Sequence, residues 1–405
     1  MRVQAQWWLA TKRKEKTMSF ITETDKKYIA NTYARFPLEL VSGKGSVVLD
    51  SNGKEYIDLG SGIAVTSFGI ADDEWVSAVT TQLTKLQHTS NLYYTEPGAL
   101  LAKMLCERTG MKKVFFANSG AEANECAIKA ARKYAAEKKG DDFYTIITLE
   151  NSFHGRTLTT LAATGQEHYH ELFQPLTPGF LHTPADDTEA LKKLVGENKI
   201  AAIMIECVQG EGGVNSLSEK FVKDVAEICK NEDIILIVDE VQTGNGRTGE
   251  LYAYMNYGIT PDIVSTAKGI GGGLPIGACM LGEKTENVLK FGDHGSTFGA
   301  NPVCCAGAVS ILERIDDKLL NDVKQKSKFI FDSFSGCKGV KGVSGMGLMV
   351  GIETEKQASE IVTACMEKGV LCLTAKNKVR LLPALNIPFE LLQKAVKVIK
   401  EIIAE

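Results

Sequence analysis

The stretch Ile234-Ile-Leu-Ile-Val-Asp239-Glu-Val-Gln242, read with Asp262-Ile-Val-Ser-Thr-Ala-Lys268-Gly-Ile-Gly-Gly-Gly-Leu-Pro275 downstream, decides the fold. Each half opens with a short, continuous, β-rich apolar run, the pattern of a strand buried on both faces. Each ends near a charged side chain, Asp239 in one and Lys268 in the other. In an open α/β sheet the carboxyl ends of the strands face the ligand crevice, so both charges are expected at one site. A lysine amine can form an imine with an aldehyde cofactor, and a carboxylate can keep a pyridine nitrogen protonated so that the ring accepts electrons. The expected cofactor is pyridoxal 5'-phosphate (PLP).

Outward from this stretch, further apolar β-rich runs occur at Lys113–Ala117, Phe143–Leu149 and Ile200–Cys207, with amphipathic helical patterns such as Ala121–Lys138 and Lys220–Asn231 between them. Alternation of this kind predicts an α/β fold with a largely parallel sheet covered on both faces. The flanks read differently. A hairpin is predicted from Ser46–Leu49 and Glu55–Leu59 around a two-residue Asn52-Gly53 type I′ turn. Beyond Pro302 come a helical region, a strand at Leu348–Glu353, a helix near Gln357–Lys368, strands around Val370–Leu373 and Lys378–Leu381, and a last helix from Phe389. The predicted organisation is a large cofactor-binding domain over residues 70–301 and a small α+β domain built from both chain ends, 18–69 and 302–405.

The 405 residues suffice for two cores. A net charge of −4 gives no global attraction to nucleic acid or anionic membrane, and no apolar stretch is long enough to span a bilayer. Ten cysteines, with no CxxC pair and no zinc-type spacing, read as reduced thiols in a cytoplasmic protein without a metal site. The adjacent Cys304 and Cys305 are expected to pack a helix. Residues 1–17 carry Trp7-Trp8-Leu9-Ala10 ahead of Lys12, Arg13, Lys14 and Lys16, the reverse of a signal peptide's order. They are expected to be a non-native or disordered extension, with Met18 as the natural start.

Two loops complete the candidate site. Asn118-Ser119-Gly120-Ala121 follows the Lys113–Ala117 run and opens a helix, whose free N–H groups and dipole suit a phosphate. An ordinary N-cap would also read this way. Asn151-Ser152-Phe153-His154-Gly155-Arg156-Thr157 follows Phe143–Leu149. Phe153 could stack on a pyridine face or fill the core, and Arg156 could hold a carboxylate or sit on the surface. His154 reads as packed beside the cofactor.

From about Tyr28 onward the chain resembles the class III, fold-type-I, PLP-dependent aminotransferases. The matching runs are Gly43-Lys-Gly-Ser46, Gly53-Lys-Glu-Tyr-Ile-Asp-Leu59, Gly62-Ile-Ala-Val65, His88-Thr-Ser-Asn-Leu-Tyr-Tyr-Thr-Glu-Pro97, Asn118-Ser-Gly-Ala-Glu-Ala-Asn-Glu125, Phe153-His-Gly-Arg156, Gln209-Gly-Glu-Gly-Gly213, Asp239-Glu-Val-Gln242, Gly246-Arg-Thr-Gly249, Ala267-Lys268 and Gly295-Ser-Thr-Phe-Gly299. The resemblance implies a mostly parallel seven-stranded sheet between helices and a homodimer with shared active sites. It implies covalent attachment of PLP at Lys268, pairing of Asp239 with the ring nitrogen, and a ring held between Val241 and Phe153. Gln242 would bond the ring hydroxyl, His154 would lie beside the cofactor, and Ser119, Gly120 and Ala121 would bind the phosphate with Thr297 of the second subunit. Arg156 would bind the substrate carboxylate, with the neighbour's Ser296 close by. Arg380 would take the second carboxylate of glutamate, with Glu211 as its gate, and Glu206 and Tyr33 would line the pocket.

The implied activity is transamination of an acylated ornithine, N2-acetylornithine foremost, with 2-oxoglutarate, a step of arginine biosynthesis. Ile63 stands where ornithine-specific members commonly carry a tyrosine, and it cannot hold a free α-amine by hydrogen bonding. Ornithine, succinylornithine and 4-aminobutyrate remain alternative donors. A PLP-fold transcription regulator is the non-enzyme alternative, but residues 1–28 are too short for a DNA-binding domain. The chain departs from the family pattern at Gly69-Ile-Ala-Asp-Asp73, and at Cys207, where a proline is usual and a modifiable thiol becomes conceivable.

Overall fold

The computed structural model describes residues 19–405, so the expected extension over residues 1–17 lies outside the described residues. The central sheet has seven strands in the spatial order Lys113–Ala117, Gly277–Leu281, Ile263–Thr266, Ile235–Asp239, Ile200–Ile205, Thr145–Leu149 and Phe180–Thr183. All run parallel except Gly277–Leu281, which is antiparallel to both neighbours. Two of the seven were not predicted. Phe180–Thr183 is a short edge strand, and Gly277-Ala-Cys-Met-Leu281 opens with small residues of low strand propensity. The glycine is required by space, because a Cβ on Gly277 would stand 2.2 Å from the Ser119 carbonyl oxygen.

The strand interiors read as continuous apolar runs because both faces are covered. Ile235 and Ile237, with Ala202, Met204 and Ile263, pack on one face. Leu236 and Val238, with Ile203, Ile205 and Val264, pack on the other. This is the period-two alternation of a pleated strand. Each such fully buried aliphatic side chain contributes about 1.5–3 kcal/mol. Helix Gly120–Lys139 covers the first face through Ala127, Ala130 and Ala131, whose small size lets its backbone approach the sheet. Helix Glu219–Asn231 covers the second through Phe221, Val222 and Val225. Helix Pro302–Arg314 packs into that same second cluster through Cys305, Ala308, Ile311 and Leu312.

Two four-stranded sheets lie outside the central one, and the chain ends meet in the first of them. In the first, Val370–Leu371 pairs in parallel with Glu55–Asp58, joining C-terminal to N-terminal chain. In the second, Met349–Thr354 lies between Val340–Met346 and Lys378–Leu381. Helices Ala358–Glu367 and Phe389–Ala404 close over it, with Ile361, Val396 and Ile399 packed on Val350, Ile352 and Val379. The hairpin forms between Val47–Asp50 and Glu55–Asp58, but its turn differs from the prediction. The Gly53 N–H bonds the Asp50 carbonyl at 3.0 Å, and of the loop residues only Gly53, at φ 80°, is left-handed. A type I′ turn needs two left-handed residues, whereas a three-residue loop needs one. The Asp50 carboxylate selects the longer loop by accepting hydrogen bonds from the N–H groups of Asn52 and Lys54.

At the first family departure, Asp72 caps helix Asp73–Leu83 and Ile70 bridges to Gly45, which gives the loop a defined shape. Among the described residues, no helix is long and apolar enough to cross a membrane.

Candidate active site

Asp239 is the last residue of its strand and is 3% exposed. Three groups from three elements hold its carboxylate. The Val241 N–H donates to Oδ1 at 3.0 Å, the Asn124 amide donates to Oδ2 at 2.7 Å, and His154 Nδ1 stands 2.8 Å from Oδ2. A carboxylate only accepts, so the His154 Nδ1 carries the proton. Burial alone would lower the His154 pKa, but the hydrogen bond and charge of Asp239, aided by Glu206, raise it overall. Asn124 also donates to the His154 carbonyl at 2.8 Å and so ties the helix after the phosphate loop to the histidine loop. Glu206 is buried and accepts the Phe153 N–H at 2.9 Å. Burial pushes its carboxyl up to about 7, against the opposing pull of His154.

Lys268 follows the Ile263–Thr266 strand at φ 47°, a left-handed conformation that an L-residue adopts only at a cost. Strain of this sort persists where the surroundings over-determine the backbone, and here the short turn closes with the Gly271 N–H on the Lys268 carbonyl at 2.9 Å. Among the described residues its ammonium has no hydrogen-bond or ion-pair partner. Burial lowers its pKa, opposed by the charges of Glu211 and Asp239.

Ser119 does cap helix Gly120–Lys139, its hydroxyl accepting from the Glu122 N–H at 3.2 Å. The ordinary capping role is thus present, and among the described residues this cap leaves the N–H groups of Gly120 and Ala121 without acceptors. Gly120 is needed by contact: a Cβ there would lie 2.6 Å from Val241 Cγ1. That contact brings the phosphate loop against the loop following Asp239.

These groups open on one cavity of about 620 Å³. Its walls include Tyr33, Ser119, Gly120, Ala121, Phe153, His154, Arg156, Glu206, Asp239, Val241, Gln242 and Lys268. Among the described residues the exposed Arg156 has no carboxylate partner, and its guanidinium lies 4.4 Å from the centre of the Tyr169 ring and 5.6 Å from that of Phe153. Glu211 and Arg380 adjoin this cavity through Gln242. Arg380 Nη1 donates to Glu211 Oε1 at 2.6 Å and lies 3.4 Å from Gln242 Oε1, while Gln242 Nε2 donates to Glu211 at 3.3 Å. Among the described residues the buried Arg380 Nε has no hydrogen-bond partner. Burial raises the Glu211 pKa, but Arg380 and Lys268 outweigh it and the carboxyl is lowered overall. Ser296 and Thr297 do not line the cavity of their own chain. Ser296 Oγ stands 3.3 Å from Asn118 Nδ2, and Thr297 is exposed.

Asn124, on the cavity wall, and Tyr169, beneath Arg156, had no part in the sequence reading, and Asn118 was named there only as part of the phosphate loop. Asn124 had a visible signal, one turn beyond Gly120 on the helix that starts at the phosphate loop. Cys207 is fully buried and its thiol is pushed well above the ordinary range, so this departure from the family pattern gives no reactive group. The donor set fits PLP. It offers a free lysine amine, a carboxylate fixed by three donors, a glycine-lined helix start with vacant N–H groups, and Val241 and Phe153 as apolar walls.

The aminotransferase class-III family pattern matches residues 28–403. The chain belongs to that family. It is 51% identical over 391 residues to the acetylornithine aminotransferase of Haemophilus ducreyi, covering 96% of this chain and 100% of that one. Among solved structures, it superposes with a TM-score of 0.91 and 32% identity on an ornithine aminotransferase from Toxoplasma gondii, in which partial occupancy of PLP at the active site is described. That match covers 100% of this chain and 98% of the other. The acetylornithine aminotransferase of Elizabethkingia anophelis gives a TM-score of 0.86 at 34% identity, covering 95% and 98% of the two chains.

Proposed function

We propose that this chain is a PLP-dependent aminotransferase that moves the terminal amino group of N2-acetylornithine to 2-oxoglutarate, giving N-acetylglutamate 5-semialdehyde and glutamate in arginine biosynthesis. The observation that carries the reaction is the unpartnered Lys268 amine on the same cavity as Asp239, whose carboxylate three elements fix. PLP, when bound, supplies an aldehyde that takes up the amine and a ring that delocalises the charge left by proton removal.

The residues divide the remaining work. Lys268 anchors the cofactor and, once displaced and neutral, removes the proton from the carbon that carries the amine. Its lowered pKa favours the neutral form that a base requires. Asp239 holds the ring nitrogen protonated, and His154 and Asn124 keep its carboxylate oriented. Ser119, Gly120 and Ala121 bind the phosphate, while Val241 and Phe153 flank the ring. Gln242 binds the ring hydroxyl, and Glu206 lines the pocket beside His154. Arg156, with its face on Tyr169, receives the substrate carboxylate. Arg380 receives the second carboxylate of 2-oxoglutarate after Glu211 moves aside.

The acetylated donor is supported by the 51% identity to the H. ducreyi enzyme and by Ile63, which offers no hydrogen bond to a free α-amine. The TM-score of 0.91 to an ornithine aminotransferase favours ornithine as the second reading. Overall shape is shared by family members with different donors, so we give it less weight. A homodimer is supported by the exposed Tyr93, Tyr94, Phe291 and Phe298 and by Ser296 and Thr297, which do not line their own chain's cavity. All ten cysteines are free, as suits the cytoplasm.

The test is a half-reaction. Holoenzyme is mixed, without any oxo acid, with N2-acetylornithine and in parallel with ornithine, succinylornithine and 4-aminobutyrate, while the long-wavelength absorbance of the cofactor is followed. Fastest bleaching by N2-acetylornithine is expected. Faster bleaching by another amine would replace the donor, and a protein unable to take up PLP would overturn the reaction.

A further inference from the structure

Arg247 lies in the turn-rich segment that leaves the Asp239 strand, beyond Gln242, and is 2% exposed. A guanidinium so deeply buried normally faces a carboxylate. Among the described residues Arg247 has none. Its Nη1 donates to two backbone carbonyls, that of Leu348 at 3.2 Å and that of Pro383. Its own carbonyl accepts the Leu348 N–H at 2.9 Å. Burial draws its pKa down to about 9 with no anion to oppose the shift. A charge left this way in the interior is expensive if its only service is to tie two loops, since an apolar side chain of similar size would pack there at lower cost.

The two carbonyls are not arbitrary. Strand Met349–Thr354 pairs antiparallel with Lys378–Leu381, with Val350 opposite Leu381 and Gly351 opposite Arg380. Continuing that register past the strand ends brings Leu348 opposite Pro383, and Arg247 binds both carbonyls at this position. It therefore fastens the end of the strand pair that carries Arg380. The same segment carries Gln242, whose side chain touches Arg380 and Glu211. One segment thus holds Arg380 through Gln242 at its side chain and, through Arg247, at the strand end three residues on.

We propose that Arg247 is a positioning residue for the second-carboxylate site, setting the reach of Arg380 from Asp239 and Lys268 and so the spacing of the two carboxylates an acceptor must present. This rests on the reading of Arg380 given under the proposed function. The acceptor class so selected is a five-carbon 2-oxo diacid, with a four-carbon one too short to satisfy both Arg156 and Arg380.

The test uses holoenzyme carrying Arg247→Lys or Arg247→Met, with each half-reaction read in a single turnover. The half-saturation concentration for 2-oxoglutarate is expected to rise about tenfold or more, because small misplacements of a binding group have effects of this size or larger. The amine half-reaction with N2-acetylornithine, during which Arg380 stays paired with Glu211, should stay within about threefold. Binding of unreactive glutarate should weaken in parallel, and the preference for 2-oxoglutarate over oxaloacetate should narrow. A purely structural tie predicts equal losses in both half-reactions, or a lowered melting midpoint with 2-oxoglutarate kinetics unchanged; either result overturns the proposal. If Arg247→Met does not fold, Arg247→Lys, which keeps the charge but loses the rigid guanidinium plane that meets both carbonyls, decides it alone. Wild-type holoenzyme that fails to react with 2-oxoglutarate would instead sink the functional reading itself.

Discussion

Asp239 and Glu211 are two buried or half-buried carboxylates of one site, and they are held in opposite ways. Asp239 is buried and receives donors from a strand-end loop, a helix and a histidine, all belonging to the framework of the large sheet. Glu211, whose side chain is 28% exposed, is held by Arg380 from the smaller sheet and by Gln242. A permanent partner calls for the first arrangement, because three fixed donors hold a charge ready without reorganisation. The second resembles a substituted ligand. Glu211 presents to Arg380 the same carboxylate oxygens that a dicarboxylic acid would present, so the pair can be exchanged at small net cost. Under the proposed function, that exchange would let one enzyme take a donor without a second carboxylate and an acceptor with one.

The strongest way to break this comparison is to remove the group that both clusters serve. Lys268→Ala should lower turnover by about 10⁴-fold or more, since it loses both the cofactor anchor and the proton carrier. The phosphate loop is untouched by that change, so the variant should still bind PLP, as equilibrium dialysis would report. Near-normal steady-state turnover would refute the site. Asp239→Asn tests the permanent cluster. It keeps the shape but loses the charge, and kcat should fall about 10²–10³-fold in both half-reactions alike. A loss confined to one half-reaction would mean that Asp239 reads substrate and not cofactor.

Glu211→Gln tests the exchangeable cluster, and here the expected effect is smaller and asymmetric. With no anion facing Arg380, dicarboxylates gain and donors lacking the second carboxylate lose. The ratio of kcat/KM for glutamate to that for N2-acetylornithine should rise about tenfold. An unchanged ratio would leave Glu211 as a plain structural partner of Arg380 and remove the contrast with Asp239.

The sequence made the permanent cluster more legible than the exchangeable one, and the reason is physical. Asp239 and Lys268 each follow an apolar run whose burial on two faces dictates a strand, so their place at the strand ends follows from local pattern. Arg380 and Glu211 meet across 169 positions of chain, and no periodicity encodes such a pairing; only the family resemblance pointed to it. Asn124 was given no role because its partners, the His154 carbonyl and Asp239, are distant in sequence, and its place one turn beyond Gly120 was the one local cue. The strand Gly277–Leu281 was missed because its small residues serve close packing against Ser119 at the expense of propensity. The hairpin turn was misread because the Asp50 side chain, and not the Asn-Gly pair, fixes the loop length.

Glu206 separates the two clusters by pH and gives the smallest expected effect. It sits on the Asp239 side, beside His154 and near Lys268, and burial lifts its carboxyl from 4.5 to about 7. Below about pH 4.5 the group is protonated in folded and unfolded chains alike. Between there and about 7 only the folded chain keeps the proton, so stability falls as pH rises through this window. Glu206→Gln removes the titration while its side-chain carbonyl can still accept the Phe153 N–H. In cofactor-free protein the variant should therefore melt a few degrees above wild type at pH 8, and the gap should close towards pH 5. A constant gap across that range would show that Glu206 is ionised throughout. Asp239, His154 and Glu206 would then form a charge cluster already complete before any cofactor arrives.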